Sequence, residues 1–154
     1  MALQYFGNRL SVNLSEQIES YDGVVFDQVT EISFITFYGN KWDDDNILDL
    51  LSRLDKNIIK SITLRQIKTM IIKNFLKECK NLEKLVIKVR SRCLLGGYSF
   101  QSYTSLKHLH FLTNDIPYLL SSIPPNLITL KLDWMIKTKV LLTDREFSPQ
   151  IKVA

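Results

Sequence analysis

The stretch Asn81-Leu82-Glu83-Lys84-Leu85-Val86-Ile87 decides the reading of this 154-residue chain. Its pattern is apolar, two variable, apolar, one variable, apolar. The same phrase stands at Val29-Thr30-Glu31-Ile32-Ser33-Phe34 and at Ile59-Lys60-Ser61-Ile62-Thr63-Leu64. It returns at Leu106-Lys107-His108-Leu109-His110-Phe111 and at Leu127-Ile128-Thr129-Leu130-Lys131-Leu132. A weaker sixth copy closes the chain at Ser148-Pro149-Gln150-Ile151-Lys152-Val153. The middle apolar residues fall at 32, 62, 85, 109, 130 and 151. In the first five copies every apolar slot holds Val, Ile, Leu or Phe, and only Val86 and Ile128 break the polar character of the variable slots.

A β-strand turns alternate side chains to opposite faces. The second and third apolar residues of each phrase therefore share one face. The first lies at the turn entering the strand and also tucks inward, and the variable residues point the other way. One such unit cannot bury its apolar face alone, whereas stacked units bury a continuous core. The expected fold is α/β: a curved parallel sheet of about six short strands, with helices or irregular segments on the convex side.

The connections differ in kind. Asp43-Asp44-Asp45-Asn46 supplies acceptors for free helix N–H groups and negative charge at a positive helix end. Ile47, Leu50, Leu51 and Leu54 follow at helical spacing. Ile67, Ile71, Phe75 and Cys79 make a second stripe, with lysines at 68, 73, 77 and 80 on other faces. The first two returns are thus read as helices. Leu94-Leu95-Gly96-Gly97-Tyr98 interrupts any helix. The run from Ile116 to Ser122 allows two helical turns before Pro124-Pro125, and the stretch 135–147 is open. Residues 1–28 are taken as an N-terminal capping segment, with Leu10-Ser11-Val12-Asn13-Leu14 as a capping strand, and residues 29–154 as the repeat domain.

These phrases resemble the leucine-rich-repeat family over about 29–153. Asn81–Ile87 and Asn126-Leu127-Ile128-Thr129-Leu130-Lys131-Leu132 carry the resemblance. The run Asn74–Leu82 looks like F-box-type and ribonuclease-inhibitor-type repeats, and Ile123-Pro124-Pro125-Asn126-Leu127 like the shorter FNIP-type repeats. The resemblance implies a mixed, divergent solenoid and a binding module such as an adaptor, and it leaves any attached activity open. The chain departs from the family at the turn position often held by Asn or Cys. Here that position reads Ile67, Arg90, Asn114 and Met135, and only Asn114 fits.

Charge and composition narrow the function. Apolar residues make up 45%, charged residues 23%, and the net charge is +4. This is the balance of an ordinary globular domain, mildly basic, compatible with an acidic protein or with nucleic acid. No window is apolar enough for a membrane span, and the N-terminus lacks a signal-peptide core. Cys79 and Cys93 form no CxxC pair, which fits reduced thiols and an intracellular setting, cytoplasm or nucleus.

Partner-binding candidates are the variable strand positions on the concave face. They are Arg65, Lys84, Val86, Lys88, His108, His110, Lys131 and Asp133. With Lys152 this face carries five Lys/Arg against two acids, Glu31 and Asp133. A protein-protein contact is expected there; the alternative is RNA or an acidic subunit of a larger assembly. A solvated face needing charge for solubility is the plainer account of the lysines themselves. His108 and His110 point the same way, but the neighbours of His110, Val86 and Lys131, offer no third metal ligand. Asp43–Asp45 reads as a helix cap and not a cation site. Trp42 and Trp134 read as packing aromatics ahead of interface anchors. No catalytic motif is visible, so no enzyme activity and no cofactor is expected. The chain stops within the sixth strand phrase, so its C-terminal edge is expected to be covered by a partner or a second copy; otherwise residues 1–154 are part of a longer repeat protein.

Overall fold

A computed structural model describes residues 1–37, 39–65, 69–88, 100–112, 123–133 and 152–153. Among them eight strands form one sheet. They are β1 (Leu3–Phe6), β2 (Arg9–Asn13), β3 (Glu31–Ile35), β4 (Ser61–Arg65), β5 (Lys84–Lys88), β6 (His108–Leu112), β7 (Thr129–Asp133) and β8 (Lys152–Val153). Their order across the sheet is their order along the chain. The β1–β2 pair is antiparallel and every later pair is parallel.

The register follows the phrase. Leu10, Ile32, Ile62, Leu85, Leu109 and Leu130 are successive Cα partners across β2–β7. Val12, Phe34, Leu64, Ile87 and Phe111 form the next row. The residues that enter the strands, Val29, Ile59, Leu82, Leu106 and Leu127, are buried too. None of these except Phe111 keeps more than 2% of its surface, so the apolar slots make one continuous core.

Each strand entry is built the same way. The N–H groups of Thr30 and Glu31 donate to the Asn8 carbonyl, and those of Lys60 and Ser61 donate to the Thr30 carbonyl. Glu83 and Lys84 donate to Lys60, Lys107 and His108 to Glu83, and Ile128 and Thr129 to Lys107, all at 2.8–3.2 Å. A carbonyl has two lone pairs, so one acceptor satisfies both donors at the bend where the chain turns into the strand. Two asparagines add a side-chain link between neighbours. Asn81 Nδ2 donates to the Asn57 carbonyl at 2.8 Å, and Asn126 Nδ2 to the Thr104 carbonyl at 2.7 Å. Each bond ties one entry turn to the turn before it.

Helix α1 (Asp44–Arg53) starts where the acidic run predicts. Asp43 accepts from the Asn46 N–H at 2.7 Å, while the Asn46 side chain accepts from the Asp43 N–H. Asp44 and Asp45 lie in the first turn, near the positive end of the helix. Its buried face is Ile47, Leu50 and Leu51. Helix α2 (Thr69–Glu78) buries Ile72, Phe75 and Leu76, with Cys79 buried just past its end. Of the expected stripe, Phe75 and Cys79 are buried and Ile71 is half-buried, because a packed helix buries a broad i, i+3, i+4 face and not a single i+4 line. Ile67 lies outside the described residues, as do 94–98, 116–122 and 135–147. The Tyr103 hydroxyl donates to the Leu76 carbonyl and so satisfies a group near the C-terminal end of α2.

Two expectations are corrected. The N-terminal segment contributes two strands, not one. Gly7, at φ 66°, lies in a two-residue turn between paired Phe6 and Arg9. That left-handed conformation suits Gly in a tight hairpin. At the other end, Leu130 pairs with Val153 and not with Ile151. The shift is two residues, which leaves Lys152 and Val153 at register positions of their expected faces, so alternation cannot detect it.

Ser15, Trp42 and residues 15–30 close the helical side near α1. Ser15 Oγ accepts from the Phe37 N–H at 2.8 Å, and Trp42 Nε1 donates to the Glu16 carbonyl at 2.8 Å. Trp42 is buried, as a packing aromatic should be. Tyr21 and Phe26 meet edge to face, and the Arg53 guanidinium lies 4.6 Å from the Tyr21 ring centre.

The two faces predict opposite mutational costs. Leu85→Ala removes a core side chain and is expected to cost about 2–5 kcal/mol. Thr63→Ala, on the other face, is expected to stay within about 0.5 kcal/mol. Urea unfolding of both variants checks this; equal costs would contradict the assigned faces.

Candidate functional site

The face opposite the core is organised in three rows. Gln4, Ser11, Ser33, Thr63, Val86, His110 and Lys131 are successive partners in the central row. Beside it runs Phe6, Arg9, Glu31, Ser61, Lys84, His108 and Thr129, with Lys152 next in register. The third row contains Asn13, Ile35, Arg65 and Lys88, and on later strands the partners Leu112 and Asp133. Seven strands in parallel or hairpin register thus present aligned side chains on one surface.

The predicted site residues fall on this surface. Arg65, Lys84, His108 and Lys131 are exposed, while Lys88 and His110 are half-buried. Val86 keeps 9% of its surface and lies outside the core cluster. It is an apolar patch between Lys84 and Lys88 on the same strand. Asp133 holds the expected register position opposite Leu112, and its side chain lies outside the described residues. His108 Nδ1 is 2.7 Å from Thr129 Oγ1, a hydrogen bond across adjacent strands. His110 has Val86 and Lys131 as its register neighbours, as the sequence predicts. Among the described residues no three His, Cys, Asp or Glu side chains gather as metal ligands.

The first two strands add residues that the phrase did not capture. Arg9 Nε lies 2.8 Å from Glu31 Oε2. This pair engages the only carboxylate at the outward positions of β1–β6. The face therefore changes along the sheet. Its start is neutral, with Gln4, Ser11, Ser33, Ser61 and Thr63. Its middle is cationic, with Arg65, Lys84 and Lys88 beside two histidines.

Comparison with known families, curated proteins and solved structures finds no match. The surface is therefore interpreted from its own chemistry. No described helix is long and apolar enough to cross a membrane. Cys79 is buried in the core, and burial pushes its thiol up to about 12. A thiol so placed is protonated near neutral pH and is no nucleophile. Trp134 and Cys93 lie outside the described residues.

Cys79 supplies a direct check. In a Cys93→Ser background, Cys79 is expected to resist a thiol-specific chromogenic reagent in buffer and to react at once in denaturant. Its raised folded-state value also means that stability is full below the ordinary thiol range and declines as pH rises from about 9 toward 12. Rapid labelling of the folded chain would contradict this placement.

Proposed function

We propose that this chain is a divergent leucine-rich-repeat solenoid, a non-catalytic adaptor that seats a protein partner on the outward, concave side of its strands. One observation carries the reading. Outward side chains stay in register from β1 to β7, so a partner meets a continuous surface and not scattered positions. Repeat architectures use such surfaces for binding because each unit contributes a few aligned contacts. The cations Arg65, Lys84, Lys88 and Lys131 and the apolar Val86 are the contacts assigned to the partner. Their charge also favours a second reading, contact with RNA or an acidic subunit of an assembly, since phosphate contacts and acidic surfaces both draw on exposed Lys and Arg.

A capture experiment separates the two. The natural chain and a variant with Arg65, Lys84, Lys88 and Lys131 all changed to Glu are used as baits in cell lysate, at low and high salt, with and without nuclease. The expected result is a protein partner that survives nuclease and is lost with the variant. Loss on nuclease treatment points to RNA. Capture unchanged by the four substitutions would overturn the outward face as the binding surface.

A further inference from the structure

Charge is segregated along this chain. Residues 1–55 hold ten Asp/Glu against three Lys/Arg, a net of −7. Residues 56–112 hold two Asp/Glu against twelve Lys/Arg, a net of +10. Because strand order follows chain order, the acidic stretch contains β1–β3 and the basic stretch β4–β6. A gradient in sequence becomes a gradient across the sheet.

The outward face concentrates it. The outward positions of β4, β5 and β6 include Arg65, Lys84, Lys88, His108 and His110 and no Asp or Glu. Arg65 and Lys88 are direct Cα partners, and Lys84 is the partner of His108. Like charges set opposite one another on neighbouring strands, as Arg65 and Lys88 are, weaken a sheet. Glu31, the acid on neighbouring β3, is held by Arg9. An anionic occupant offsets the Arg65–Lys88 repulsion.

We propose that the outward strip of β4–β6 seats an extended acidic peptide segment, with carboxylates at positions i and i+4 over Lys84 and Lys88. The inference rests on the outward face being the partner surface. Three observations select a peptide. Alternate residues of a strand and of an extended peptide both repeat at roughly 6.8 Å, so a peptide lying along β5 keeps step with Lys84, Val86 and Lys88. Val86, nearly flush with the surface, suits a small or apolar residue at i+2. The strip is about 10 Å across, three strands wide, and borders the acidic stretch. A nucleic-acid strand, charged at every step, runs off it onto the outward face of β1–β3, where the paired Arg9 and Glu31 leave no net charge to hold it.

Fluorescence anisotropy tests the proposal with three labelled probes: a dodecapeptide repeating Glu-Ser-Ala-Ser (the Glu-Ser peptide), which sets Glu at i and i+4 and Ala at i+2 on one face, its counterpart with Lys for Glu (the Lys-Ser peptide), and oligouridylate of equal length. Three proteins are compared: the natural chain, the strip variant R65E/K84E/K88E, and the charge-matched control K41E/K77E/K80E. The Glu-Ser peptide is expected to bind the natural chain, about tenfold or more weakly to the strip variant, and within about threefold of natural for the control. Oligouridylate is expected to bind about tenfold more weakly than the peptide. The Lys-Ser peptide is expected to gain more binding to the strip variant than to the charge-matched control, which a non-specific charge effect would not give. Equal losses in both variants, tighter binding of oligouridylate, or no Glu-Ser binding up to about 1 mM protein each overturn the proposal. If the peptide fails while the strip variant still loses its lysate partner, the acidic segment is wrong and the outward face stands. If the peptide behaves as expected while capture is unchanged, the partner-surface reading falls instead.

Discussion

One backbone carbonyl before each of β2–β6 accepts two amide protons from the entry turn of the next strand, and the rest of the sheet depends on this repeated bond. Asn8, Thr30, Lys60, Glu83 and Lys107 play the same part in succession. A parallel strand cannot take its register from a tight hairpin, because its connection is long. The register must be set where the chain arrives. Two bonds to one acceptor fix the first strand residue, and strand alternation then decides which side chains face the core. The buried apolar residues at the strand entries, Val29, Ile59, Leu82, Leu106 and Leu127, each stand one residue before these donors. A slip of one residue would turn Ile62, Leu85 and Leu109 to solvent and bury Thr63 and Lys84.

Much of this was legible because the same alternation recurs at each copy. The phrase aligned Ile32, Ile62, Leu85, Leu109 and Leu130, and those residues are partners. The acidic run before Ile47 announced the capping box at Asp43 and Asn46. The parts that escaped did so for physical reasons. Strand β2 matches the phrase at Leu10 and Val12, but Gly7 occupies its first apolar slot because the chain there makes a hairpin turn. Strand β1 is four residues long and has adjacent apolar residues, Tyr5 and Phe6, so it shows no clean alternation. The Arg9–Glu31 pair was hidden for the same reason, since it appears only once β2 is placed in register with β3. The register of β8 escaped because a two-residue shift preserves the faces.

The candidate surface was legible in its membership and not in its environment. Variable positions were readable from the phrase, and the structure places them on one face. How far each is exposed was not readable. Val86 is nearly flush, and Lys88 is half-buried where Arg65 is open. The gradient of charge acquires spatial meaning only through the strand order. In a fold with crossovers, an acidic first third and a basic middle would interleave. Here consecutive strands are neighbours, so chain position is also position across the sheet.

The central claim is therefore the register itself, and cross-strand nuclear Overhauser contacts in the isotope-labelled chain test it most directly. The account predicts backbone contacts linking Ile62 to Leu85, Leu85 to Leu109, and Leu109 to Leu130, each between parallel neighbours. Contacts linking Leu85 to residues one position away on either side, or an antiparallel pattern between β4 and β5, would contradict the sheet and every surface drawn from it.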